Sequence, residues 1–161
     1  MFIKTEDIGL KGLNREEPIG RGIINEWLGG DSIYTSSCEG LAIISAERTE
    51  SGYLIRGDLT VTLATECSRC LKNLEVDLKV PFAALFTERR SFSKGDDETD
   101  GGSDQIFFSG PIVEVDDIIK DSLLLSLEMA PKCSEECKGL CPDCGVNLND
   151  DVCLCKSKTI Q

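Results

Sequence analysis

The sequence predicts an α+β protein built on an antiparallel β-sheet, a meander that could curl toward a barrel, with one packed helix and a C-terminal cysteine-rich module. Three observations predict it. Apolar residues alternate with period two through much of residues 41–86, the stretch after Val115 spaces its apolar residues for a helix, and six of the nine cysteines fall between Cys133 and Cys155. A chain of 161 residues can bury one proper core. The expected division is therefore a sheet and helix core over 1–130 and a small cysteine-rich tail over 131–161.

The first forty residues are the least legible. Met1-Phe2-Ile3 reads as an edge strand, and Ile23-Ile24-Asn25-Glu26-Trp27-Leu28 is apolar enough to dock before Gly29-Gly30. Trp27 is expected in the core rather than as an exposed anchor, and the isolated Cys38 as a small buried hydrophobe. Leu41-Ala42-Ile43-Ile44, Leu59-Thr60-Val61-Thr62-Leu63 and Leu74-Glu75-Val76-Asp77-Leu78-Lys79-Val80 read as three antiparallel strands, with Glu50-Ser51-Gly52 as a turn. The loop between the last two holds Cys67-Ser68-Arg69-Cys70, which puts two sulfurs on a hairpin tip. After Pro81-Phe82-Ala83-Ala84-Leu85-Phe86 the composition changes. Residues 93–104 have no apolar side chain and five acids against one lysine, the signature of a mobile acidic loop. Ile106-Phe107-Phe108 reads as a short strand. A helix is expected from Asp116 or Asp117 to about Leu127, capped by Asp116, stopped by Pro131 and packed along most of its second half.

The cysteines carry the clearest chemistry. Cys141-Pro142-Asp143-Cys144-Gly145 places two sulfurs on one tight turn whose N–H groups can hydrogen-bond thiolates, and Gly145 supplies the permissive backbone. A second C-x-x-C pair far upstream, Cys67 and Cys70, gives the sequence form of a zinc ribbon. An odd cysteine count in a chain without an evident secretory leader favours metal over disulfides. Histidine is absent, so any zinc must be bound by thiolates alone, and closed tetrathiolate sites are structural. The same absence excludes imidazole catalysis, and the chain is expected not to be an enzyme. Cys67, Cys70, Cys133, Cys137, Cys141, Cys144, Cys153 and Cys155 could complete one or two sites. The preferred partition joins Cys67 and Cys70 to Cys141 and Cys144, leaving Cys133, Cys137, Cys153 and Cys155 for a second ion, because unpaired thiols at a hairpin tip would be open to oxidation. The alternative holds one zinc wholly within the tail and leaves the hairpin pair free. The tail has few apolar residues, Leu140, Val146, Leu148, Val152 and Leu154 among them, so metal is expected to be its main folding element. An iron–sulfur cluster ranks below zinc because the tail offers little apolar wall.

Net charge is −12, from 29 acids and 17 bases, a poor footprint for gripping nucleic acid by its phosphates. An acidic surface suits a strongly basic partner. Arg69, Lys72, Arg89 and Arg90 are the basic residues that could cluster beside the sheet for RNA contact. No run has the length of a membrane span, and the N-terminus lacks the basic start and apolar core of a signal peptide, so the protein is expected in the cytoplasm. No small-molecule substrate is implied.

Over roughly residues 41–155 the chain resembles the YceD family of large ribosomal RNA subunit accumulation proteins. The resemblance rests on Cys67-Ser68-Arg69-Cys70-Leu71 after an alternating strand and on the helix running into Leu125-Ser126-Leu127-Glu128-Met129-Ala130-Pro131-Lys132-Cys133. Most specific is Glu136-Cys137-Lys138-Gly139-Leu140-Cys141-Pro142-Asp143-Cys144-Gly145-Val146-Asn147-Leu148-Asn149. Glu128 stands where the family pattern has proline, and some members lack the C-terminal cysteine block. The resemblance implies a non-enzymatic role in accumulation of large-subunit ribosomal RNA and assembly of the large ribosomal subunit, through a basic ribosomal protein or a pre-ribosomal particle. The residues alone leave two other readings: a zinc-stabilised adaptor for a basic protein unrelated to ribosomes, and a thiol oxidoreductase using Cys67 and Cys70.

Overall fold

In the computed structural model, residues 1–88 and 105–157 are described. Eight strands and two helices follow in the order β1 (Phe2–Lys4), β2 (Leu13–Ile19), α1 (Arg21–Leu28), β3 (Thr35–Ser36), β4 (Gly40–Arg48), β5 (Tyr53–Glu66), β6 (Asn73–Glu88), β7 (Gln105–Phe108), β8 (Ile112–Glu114) and α2 (Asp116–Ser126). Strand β1 pairs with β8 in an antiparallel ribbon, and the main sheet runs β2-β4-β5-β6-β7 with β3 attached to β5. All pairings in the main sheet are antiparallel except β6 with β7, which is parallel. The meander β4-β5-β6 was expected; closure was not found. The sheet path ends on β2 at one side and β7 at the other among the described residues, so this is an open mixed sheet and not a barrel.

Long strands β5 and β6 are the spine, in register from Tyr53 opposite Phe86 to Glu66 opposite Asn73. Their alternation sends Ile55, Leu59, Val61 and Leu63 with Val80, Phe82, Ala84 and Phe86 to one face, which buries them against Ile24 of α1, Val113 and Val115, and Ile119 and Leu123 of α2. Gly57 is fixed by close approach. A Cβ there would stand 2.1 Å from the Ile43 carbonyl oxygen and 2.6 Å from Phe82 Cζ, so the Phe82 ring occupies the space a side chain would take. Pro18 lies on β2, an edge of the sheet path, and Pro81 lies where, among the described residues, β6 has β5 on one side only, since β7 joins no earlier than Leu85.

Helix α2 departs from the expectation in three ways. Its N-cap position is Val115, which offers no side-chain hydrogen bond, and the Asp116 carboxylate instead accepts from the Met1 amino group. It ends at Ser126, one residue from the expected end, but Pro131 is not what stops it, since Leu127 is already extended and the Glu128 carbonyl is held by the Tyr34 hydroxyl at 2.9 Å. Only Ile119 and Leu123 are buried, while Leu125 is 87% exposed, so the second half of the helix presents one apolar row to the core and not most of its surface. Helix α1 is held to β3 by two bonds, Asn25 Nδ2 to the Ser36 carbonyl at 3.0 Å and the Ser36 N–H to Asn25 Oδ1 at 2.7 Å. Trp27 packs half-buried against the core, as expected in kind. Cys38 is exposed, not buried, because it lies just outside the short β3 at the sheet surface. The acidic stretch 93–104 lies outside the described residues. Among the described residues no helix is long and apolar enough to cross a membrane.

Candidate metal centre

The turn Cys67-Ser68-Arg69-Cys70 joins β5 to β6, and its backbone matches the tail turn Cys141-Pro142-Asp143-Cys144 bond for bond. In the first, the Leu71 N–H reaches the Cys67 carbonyl at 2.9 Å and the Cys67 N–H reaches the Lys72 carbonyl at 2.8 Å. In the second, the Gly145 N–H reaches the Cys141 carbonyl at 2.9 Å and the Cys141 N–H reaches the Val146 carbonyl at 2.8 Å. Both turns end in a residue with positive φ, 58° for Leu71 and 72° for Gly145. Glycine takes that conformation freely, whereas a side chain there costs about 1–2 kcal/mol.

Eight sulfurs form two groups, Cys67, Cys70, Cys133 and Cys137 in one and Cys141, Cys144, Cys153 and Cys155 in the other, the sulfurs of each lying within 4.8 Å of one another. Neither expected partition is the one the fold makes. The tail turn does not join the hairpin turn; it closes on its own C-terminal pair. The hairpin pair is not free either. The Ser68 N–H donates to the Pro131 carbonyl at 2.8 Å, which delivers Cys133 to the hairpin, and the Cys133 N–H then points at Cys67 Sγ from 3.4 Å.

The grouping fits a tetrahedral thiophilic ion. Sulfurs 3.8 Å apart in Cys67 and Cys137, 3.6 Å in Cys70 and Cys133, and 3.7 Å in Cys144 and Cys153 lie near the edge of about 3.8 Å expected when four sulfurs surround an ion at about 2.3 Å. Cys141 and Cys153 are closer, at 3.2 Å, still far beyond a disulfide of about 2.05 Å. All nine cysteines are free thiols in the structure. Burial opposes the Cys67 thiolate, but the N–H groups of Arg69, Cys70 and Cys133, with the Cys70 thiol, outweigh it and bring the group from 9.0 down to about 6. The Cys144 N–H, the Cys153 thiol and the Asp143 N–H bring Cys141 down to about 7. The Lys72 N–H favours the Cys70 thiolate, but burial and the thiols of Cys67, Cys133 and Cys137 push that group up to about 12. The Cys144 and Cys153 thiols, followed by burial, push Cys155 to about 12. Each cluster thus pairs a ready thiolate with thiols that a bound ion must deprotonate.

Residues outside the clusters hold them in place. Arg69 Nη1 donates to the Cys137 carbonyl at 2.9 Å, and the Leu140 N–H donates to the Arg69 carbonyl at 3.1 Å. Gly139, with φ 75°, permits that contact, since a Cβ would lie 3.1 Å from the same carbonyl. Asn149 is the linking residue that spacing arguments miss. Its Nδ2 lies 3.5 Å from Cys137 Sγ and 2.7 Å from Asn147 Oδ1, and its Oδ1 accepts from the Lys138 N–H at 2.8 Å, so the tail hairpin is tied to the neighbouring cluster. The N-x-N step after C-P-x-C-G was its signal. Of the basic residues expected beside the sheet, Arg69 and Lys72 are exposed at the hairpin tip, and Arg69 is engaged by the tail. Arg89 and Arg90 lie outside the described residues.

The family model for the large ribosomal RNA subunit accumulation protein YceD matches residues 55–161. An uncharacterized protein of Mycobacterium tuberculosis is 30% identical over 105 residues, covering 65% of this chain and 49% of its own length. The large ribosomal RNA subunit accumulation protein YCED homolog 1, chloroplastic, of Zea mays is 25% identical over 146 residues, covering 75% of this chain and 50% of its own. The protein of the same name from Arabidopsis thaliana is 25% identical over 122 residues, covering 62% and 38%. The chain spans about half the length, or less, of the curated relatives it matches. No solved structure matches it.

Proposed function

The chain belongs to the YceD family, and from that premise we propose that it is a non-enzymatic factor in accumulation of large-subunit ribosomal RNA and assembly of the large ribosomal subunit. The observation that carries the reading is the family match over residues 55–161, a span that includes every cysteine of both clusters. Two zinc ions, one per cluster, hold the tail in shape; the all-thiolate donor sets and the sulfur spacing support zinc, and closed sites of this kind leave no position for substrate. The net charge of −12 supports a basic ribosomal protein or a ribonucleoprotein intermediate as the partner. The oxidoreductase alternative is weakened by the clustering of Cys67 and Cys70 with two further sulfurs on a hairpin and not at a helix N-terminus.

Depletion tests the reading. Cells that lose the protein should show a fall in large-subunit ribosomal RNA relative to small-subunit RNA, restored by the wild-type chain. An unchanged ratio would refute the assignment and move the general adaptor to first place.

A further inference from the structure

The two matching turns differ at one residue, and the difference points outward. Where the tail turn has Gly145, the hairpin turn has Leu71 in the same left-handed region. The leucine gains no burial in exchange for this conformation, since it is 59% exposed and joins neither hydrophobic cluster. A bulky side chain kept where glycine fits better suggests a contact made with something else.

Leu71 stands at the rim of a hollow of about 1110 Å³ at the hairpin tip, with Ile33 and Met129 on the same rim, 56% and 97% exposed. Hydrogen bonds build this rim: Thr65 Oγ1 donates to the Ile33 carbonyl at 2.9 Å, and the Tyr34 hydroxyl donates to the Glu128 carbonyl at 2.9 Å, fixing the residues beside it. The charged side chains lining the hollow are Glu66 and Glu75, and neither has an ion-pair partner among the described residues. Strand β6 starts here. From Leu74 to Val80 it has no strand partner on the side away from β5 among the described residues.

We propose that this hollow docks an extended segment of a basic protein. An apolar residue of the segment enters between Leu71, Ile33 and Met129, lysine or arginine beside it meets Glu66 and Glu75, and its backbone continues along the free edge of β6. Charge complementarity selects the occupant, because two unpaired acids in the wall attract a basic peptide and repel a phosphate backbone. The inference rests on the basic partner of the proposed function and gives that partner a place and a chemistry.

The test uses the full chain, immobilised with zinc present, and the proteins stripped by salt from purified large ribosomal subunits and returned to low salt. Two variants accompany it. Leu71→Gly removes the anchor while suiting the backbone, so its unfolding midpoint should equal or exceed that of wild type with zinc content unchanged. Glu66→Lys with Glu75→Lys reverses the wall at exposed positions. Retention of a basic protein by wild type, weakened about tenfold or more in both variants, supports the docking site. Equal retention by wild type and both variants overturns the site and leaves the proposed function standing. Retention that disappears on nuclease treatment makes RNA the ligand and overturns the proposal, and no retention by wild type overturns both it and the basic-protein partner on which it rests.

Discussion

Gly57 and Cys67 illustrate how single residues carry opposite kinds of constraint. At Gly57 the constraint is volume: a methyl group would meet the Ile43 carbonyl and the Phe82 ring at distances that side chains do not adopt. Gly57→Ala should therefore destabilise the sheet by about 1–3 kcal/mol, read as a lowered midpoint in denaturant; an unchanged midpoint would mean that the Ile43 backbone and the Phe82 ring both give way freely. At Cys67 the constraint is charge. Burial opposes its thiolate, but with Cys133 in place the N–H groups of Arg69, Cys70 and Cys133 bring it from 9.0 down to about 6, so the folded cluster offers an incoming ion a thiolate at neutral pH.

At the scale of elements, the hairpin turn and the tail turn are equivalent in backbone but unequal in support. The first cluster sits on the rigid end of β5 and β6 and buries Cys67, Cys70 and Cys137; the second is built within the tail, with Cys144 exposed. Grouping by cluster makes a stoichiometric prediction. Cys67→Ser with Cys133→Ser, both in one cluster, should leave about one bound zinc per chain, whereas Cys67→Ser with Cys153→Ser should leave none. Native mass spectrometry reads the difference, and zero zinc in the first double variant would restore the crossed partition. Helix α2 makes a similar contrast along one element. Leu123→Ala should cost about 2–5 kcal/mol because the side chain is fully buried, while Leu125→Ala should change stability by about 0.5 kcal/mol or less. Similar losses from both would mean that the helix buries its second face after all.

For the whole molecule, the sheet and the tail draw stability from different sources. Burial of Ile44, Ile55, Leu59, Leu63 and Phe86 supports the sheet without metal, whereas Leu140, Val146 and Leu148 are only half-buried in a tail organised around thiols. Chelation should erase hydrogen-exchange protection over residues 131–155 and leave β4, β5 and β6 protected; loss of protection in the sheet as well would show that its stability depends on the ions. The net charge acts on the same scale. Association with a basic partner should slow as ionic strength rises, since steering by an acidic surface is screened over about 10 Å at 0.1 M salt.

What the sequence by itself determined is whatever depends on local periodicity and spacing. The β5–β6 hairpin with its C-x-x-C tip, the strand after residue 104, the start of α2 and the eight clustered cysteines were all legible, because alternation, turn residues and C-x-x-C spacing act within a few residues. The tertiary structure decided which cysteines meet. Two turns that look alike in sequence do not share a cluster, because the Ser68 bond to Pro131 holds Cys133 and Cys137 at the hairpin and the tail turn closes on Cys153 and Cys155. It also decided that the sheet stays open, that Cys38 faces outward, that Tyr34 draws the chain out of α2 at Glu128, and that Leu71 holds a glycine's conformation. Each of these depends on a partner distant in sequence or on a backbone angle, and neither leaves a mark in composition or period.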